Sequence, residues 1–237
     1  MIKEALEFLV SLKDTKLFEI DGEHYADRRL ERIPEIIDRP KTHKVNSLDA
    51  LVQLIKTEKD VLNAPLFVEI DSPRQIVVYT TYDHVLTRDI PYEAVCEDCT
   101  FREGWRNHDE AIIELRSRFL PSDDADYLLD LLSCMSKEEG VTTNDNGVTQ
   151  TVTAKQGVSL KENVTVKPIV SLKPFRTFRE VSQPESEFLL RVDDDGRVGL
   201  FEADGGIWKM EAKDNIAAYF RKELAEEINQ KSVFVLE

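Results

Sequence analysis

The chain has 237 residues, enough to bury a substantial core as one large domain or two small ones. Hydrophobic residues at 41% and charged residues at 32% exclude the disordered and fibrous classes. The 46 acidic against 31 basic residues leave a net charge of -15, which repels phosphate backbones and argues against bulk nucleic-acid binding.

The opening, MIKEALEFLVSLKD, spaces Ile2, Leu6, Leu9, Val10 and Lys13 as a helix. Its charged residues deny it the unbroken apolar stretch of a signal peptide. LFEI and the segment after Asp21-Gly22 then read as a hairpin. Asn46 or Ser47 can cap a helix through Leu62 that buries Leu48, Leu51, Val52, Ile55 and Leu62. LFVEI (66–70) and QIVVYTTYD (75–83) flank the turn residues 71–74 and predict a hairpin, extended near Tyr92 to Val95. Asn107 with Glu110 three residues on predicts a capping box opening a helix to Leu120. Asp124 to Met135 reads as its antiparallel partner, with acids in the first turn as the macrodipole favours.

Residues 137–147 are turn-rich and polar, the candidate boundary between a region 1–140 and a β-rich region 141–237 that can also form one domain with it. Strands are predicted over 164–172, RTFREV (176–181), 187–192 and 197–203, the last two joined at Asp193-Asp194-Asp195-Gly196. Trp208, Ala212, Ile216, Phe220, Leu224 and Ile228 form one helical stripe, expected to pack on the sheet of the β-rich second half, and SVFVLE closes as a strand. The order of elements does not alternate as βαβ units do, so the fold class is α+β, with helices packed on a mostly antiparallel sheet. VTQTVTA is β-branched and weakly charged, an edge that pairing could cover, so a homo-oligomer is expected.

No stretch approaches the roughly 18 apolar residues that cross a bilayer, and three cysteines are too few for a disulfide framework. A cytoplasmic protein without membrane contact is the expectation. Cys96 and Cys99 have zinc-knuckle spacing, but no second pair closes a four-ligand site, so no metal or other cofactor is expected. Asp193, Asp195, Gly196 and Glu202 match part of a calcium loop whose first position is Arg191, a cation in place of a carboxylate. An acidic hairpin turn fits better. Glu202 to Gly206 joins a strand to a helix, with Asp204 as its N-cap. His24, His43, His84 and His108 are scattered, and no nucleophile elbow, HExxH or phosphate loop occurs, so no catalytic residue is assigned. Lys167, Lys173, Arg176 and Arg179 interleave with Phe175 and Phe178, the side chains that hold an anion beside a flat base. The competing reading is a half-buried strand with solvated charges.

LKPFRTFREVSQPESEFLLRV (172–192) and GLFEADGGIWKMEAKDNIAAYF (199–220) resemble the YfdQ-like proteins of phages and prophages. The opening helix and the EIDGEHYAD hairpin are similar to versions carried by phages of Gram-positive bacteria. The resemblance brings no activity and transfers no site residue. It implies a phage-encoded protein of the bacterial host cytoplasm. Two functions follow as expectations. One is a non-enzymatic accessory protein, self-assembling or in contact with a host or phage protein. The other is a sponge for a host nucleotide signal, binding through the basic-aromatic residues.

Overall fold

In the computed structural model the described residues are 17–20, 23–26, 39–62, 64–84, 86–97, 101–135, 141–145, 150–156 and 159–237. They belong to two compact units, Met1–Arg39 and Pro40–Glu237. The first holds β1 (Leu17–Ile20) paired antiparallel with β2 (Glu23–Ala26), Leu17 opposite Ala26, the hairpin that Asp21-Gly22 predicts. The helix expected over residues 2–13 lies outside the described residues.

The second unit contains two separate hydrophobic cores. The first is organised by α1 (Leu48–Leu62), whose buried stripe of Leu48, Leu51, Val52 and Ile55 follows the helical period. A helix N-terminus needs acceptors for its free N–H groups. Here Ser47 Oγ accepts from Ala50 at 3.2 Å, and the distant Glu180 carboxylate accepts from Leu48 at 2.7 Å. The stripe packs on a sheet of β3 (His43–Val45), β4 (Leu66–Ser72), β5 (Gln75–Thr80), β6 (Tyr92–Val95) and β14 (Val233–Leu236), ordered β14-β4-β5-β6-β3. The β4-β5-β6 meander is antiparallel, while both outer strands are parallel to their neighbours.

The α4 helix (Trp208–Glu223) adds Ile216, Ala217, Phe220 and the following Leu224 to this same core. This corrects the expectation that the last long helix covers the sheet of the second half. Its target is β4, from the first half, together with β14. Lys59 pairs with Glu227 of α5 (Ala225–Asn229) at 3.1 Å, and the Tyr219 hydroxyl donates to Asp49, so both ends of α1 are tied to the C-terminal helices.

The second core lies under an antiparallel sheet ordered β11-β12-β13-β7, built from β7 (Gly104–Arg106), β11 (Ile169–Leu172), β12 (Ser186–Val192) and β13 (Val198–Glu202). Beneath it pack α2 (His108–Arg118), opened by the predicted Asn107 and Glu110 capping box, and α3 (Asp123–Met135). Phe101 meets Phe119 and Phe188 edge-on, each at 5.3 Å, an arrangement that aromatic quadrupoles favour. Since α2 and α3 share this core with β11 to β13, residues on either side of position 140 form one hydrophobic unit.

Three strands, β8 (Val141–Asp145), β9 (Gln150–Gln156) and β10 (Ser159–Val166), form a further sheet ordered β10-β9-β8. Part of the expected 137–147 junction is therefore strand. VTQTVTA runs into β9, which is flanked on both sides, so the open edge that motivated self-assembly does not exist there. RTFREV is not a strand either: residues 175–185 run as turns and irregular backbone.

Phe220 is fully buried. Phe220→Asp would replace a packed ring with an unpaired buried charge, a loss of at least about 4 kcal/mol in a fold typically stable by about 5–15. The variant is expected to be insoluble or to melt at least 10 °C or so lower by circular dichroism; an unchanged midpoint would refute the core assignment. Gly199 gives a subtler test. A methyl group there would come within 2.6 Å of the Phe201 ring and 3.0 Å of Trp105. Gly199→Ala is expected to cost about 1–3 kcal/mol through overpacking, read as a lowered denaturant midpoint.

Candidate functional site: the open face of the five-stranded sheet

Side chains alternate across a strand. Leu66, Val68 and Ile70 of β4, Ile76 and Val78 of β5, and Val233 of β14 point into the first core. Phe67, Val77, Tyr79 and Phe234 therefore point the other way, and Glu69 with them. Antiparallel sheets covered on one face normally carry polar residues on the other, and apolar residues on both faces mark a sheet covered twice. Among the described residues, α1 and α4 cover one face and no helix covers the second.

On that second face the register places Phe234 opposite Phe67 and Phe67 opposite Tyr79. The three rings stack as a ladder across β14, β4 and β5, with centroids 5.3 and 5.5 Å apart and planes inclined by 23° and 22°. Arg88 completes it from the loop between β5 and β6. Its guanidinium lies 4.6 Å from the Tyr79 ring, 4.1 Å from Tyr82 and 5.6 Å from Phe67, a cation held between two phenol faces. Tyr82 is 61% exposed and Phe234 38%. Neither the Arg88 guanidinium nor the Glu69 carboxylate has a hydrogen-bond or ion-pair partner among the described residues.

The loop is built to hold this arrangement. Asp83 accepts from the backbone N–H of Thr87 at 3.0 Å and from its hydroxyl at 2.8 Å, and Thr80 and Asp89 close the base through two hydrogen bonds. At the tip Leu86 adopts φ +58° with its side chain 78% exposed. Left-handed backbone at a leucine costs on the order of 1–2 kcal/mol, and the exposed side chain recovers none of it. Such outliers concentrate at binding segments.

The basic-aromatic residues singled out from sequence are not brought together as one exposed patch. Lys167 pairs with Asp124 at 2.8 Å and lies over the Tyr127 ring. Lys173 pairs with Glu185 at 3.3 Å. Arg179 lies 5.9 Å from the half-buried Phe175 ring, and Phe178 is buried in the first core. Arg176 is 1% exposed. Its guanidinium donates to Glu202 at 2.6 Å and to Ser186 and lies 4.1 Å from the Trp208 ring. Burial pulls its pKa down against the carboxylates of Glu202 and Asp204. The strand reading fails because Gln183 folds back to bond the backbone of Arg176, Thr177 and Phe178, which removes those groups from any ladder.

Asp204 accepts from Gly206, from Ser186 and from the backbone of Trp208, the first residue of α4, so it serves the turn and the helix start together although Ile207 directly precedes the helix. Asp193 accepts from the Arg197 side chain and backbone, while Glu202 serves Arg176, so the partial calcium match is an acidic turn. Cys99 lies outside the described residues, and no cluster of three potential metal ligands occurs among the described ones. No described helix is long and apolar enough to cross a membrane. Beside β7 and α2 lies an open groove of about 390 Å3 lined by Trp105, Arg106, Glu110, Ile113, Glu114 and Arg118. Its Arg106 and Arg118 are both bonded to Glu114, which neutralises much of their charge.

Composition could not reveal the ladder, but alternation in LFVEI, QIVVYT and VFVL carries the signal. Each run keeps apolar residues at both parities.

Asp124 yields a pH test. Hydrogen bonds from Lys167 and the Ser171 backbone hold its carboxyl below the ordinary 3.8. A depressed carboxylate stabilises the fold above the unfolded value, and that contribution vanishes as pH falls through the folded value. The melting difference between the wild type and Asp124→Asn should thus be largest near pH 6 and shrink towards pH 3; a constant difference would show that the charge is irrelevant. No protein-family model, no curated protein and no solved structure matches this chain.

Proposed function

We propose that this chain is a non-enzymatic interaction protein that binds a protein surface through the open face of its five-stranded sheet. The observation that carries the reading is one sheet with apolar residues on both faces and a described cover on only one. Exposed aromatic patches rimmed by polar residues are the usual mark of protein contact surfaces, and tyrosine, phenylalanine and arginine are the side chains enriched there. The likeness of residues 172–192 and 199–220 to the YfdQ-like proteins supports a phage-encoded accessory protein acting in the host cytoplasm. The nucleotide-sponge reading has lost its main support, since Arg176 and Phe178 are buried and the two lysines are paired.

The test is cross-linking capture from bacterial lysate with the wild type and with Tyr82→Ser/Phe234→Ser. Neither side chain lies in a hydrophobic core, so the variant should keep a cooperative melt, lowered by roughly 5 °C through the lost stacking, and lose the captured protein. Equal capture by both would remove the face from the function. A thermal-shift screen of mono-, di- and cyclic nucleotides addresses the sponge: a ligand at 100 times its Kd adds about 2.7 kcal/mol, and no shift is expected.

A further inference from the structure

Resting on that reading, we propose that the occupant of the open face is the same face of a second copy of this chain. The two sheets would pack as an isologous dimer in which Arg88 of each copy meets Glu69 of the other. A twofold contact requires self-complementarity: what residue i offers, residue j of the partner copy must take, and the reverse. The face meets that condition. Its middle is apolar, with Phe67, Phe234, Tyr79, Val77 and Leu236 on neighbouring register positions. Glu93 is engaged by Lys44 and Gln75; the Arg88 guanidinium and the Glu69 carboxylate lack described partners, are of opposite sign and lie off-centre in opposite directions, with Asp71 beyond Glu69 towards the β4–β5 turn. Arg88 sits over the Phe67–Tyr79 row, and Glu69 lies in the next row, between Leu236 and Val77. A half-turn about an axis between the rows brings each onto the other.

The competing occupants fit less well. An oligonucleotide would lay phosphates against Glu69, Asp71 and Glu93 on a chain of net charge -15. A basic helix would leave Arg88 facing like charge. Two copies are also both acidic, but at physiological salt charges further apart than about 8 Å are largely screened, and the local pairing of Arg88 with Glu69 decides the contact. Stacked sheets lie about 10 Å apart, close enough for aromatic rings on both to interdigitate.

Sedimentation velocity of the full chain from 1 to 100 µM is the test. A species of twice 27.2 kDa is expected, and Phe234→Arg should render it monomeric. Arg88→Glu and Glu69→Arg should each weaken association at least tenfold, whereas the double reversal Arg88→Glu/Glu69→Arg should restore it, because both cross-copy pairs are re-formed. Restoration separates the proposal from simple damage to the fold, and melting curves of all four variants accompany it. A monomeric wild type at 100 µM overturns the proposal, as does a dimer indifferent to these substitutions, or a labelled oligo-dT bound through Phe234. If the wild type is monomeric yet Tyr82→Ser/Phe234→Ser loses a captured protein, the second copy is refuted while the interaction reading stands. If neither assay responds to the face, both fall.

Discussion

Residues 173–185 tie the two cores together, and the tie turns on the guanidinium of Arg176. One side of it bonds Glu202 and Ser186 on the second sheet, while its plane lies over Trp208 at the start of the helix that covers the first sheet. Its backbone carbonyl accepts from Arg74 in the β4–β5 turn, and the Thr177 hydroxyl donates to Pro73 in the same turn. Two residues on, Phe178 enters the first core. A buried cation without partners would cost several kcal/mol. The flat, forked donor set of arginine lets one side chain satisfy two acceptors and stack on an indole at once, which lysine cannot do. These bonds help to hold α4 over β4.

The cores interleave along the chain. The first takes α1 and four strands from residues before 96, then α4 and β14 from the last thirty or so. The second takes α2 and α3 from the middle and its strands from beyond 169, with β7 as the exception. Neither core can close until residues far apart in sequence meet, a topology that slows folding. Residue 140 divides composition without dividing structure.

Local patterns were legible where local physics decides. The 3.6 period of Leu48, Leu51, Val52 and Ile55, the Asn107 and Glu110 box, the Asp71-to-Arg74 turn and the β12–β13 hairpin all follow from neighbours within a few residues. What was illegible depends on distant partners. Nothing in VFVLE announces that it will lie parallel to LFVEI. Gly104–Arg106 and His43–Val45 are three-residue strands made only by the strands beside them. RTFREV has strand propensity, yet the Gln183 amide supplies a competing set of bonds and the turn wins. The candidate site was half legible: the parities of Phe67, Val77, Tyr79 and Phe234 can be read, but a run apolar at both parities looks the same whether its second face meets a helix or water.

The placement of the aromatic ladder on strands rather than on a loop bears on how it can work. Ordering a flexible side chain at an interface costs roughly 0.5–1.5 kcal/mol each. Phe234, Phe67 and Tyr79 already restrain one another by stacking across hydrogen-bonded strands, and Arg88 is already held between Tyr79 and Tyr82. Much of that entropy was lost when the chain folded, so contact with a complementary surface keeps more of the energy of burial. A preordered, shallow, aromatic surface that sets the Arg88 cation near the Glu69 carboxylate discriminates by shape and by charge position.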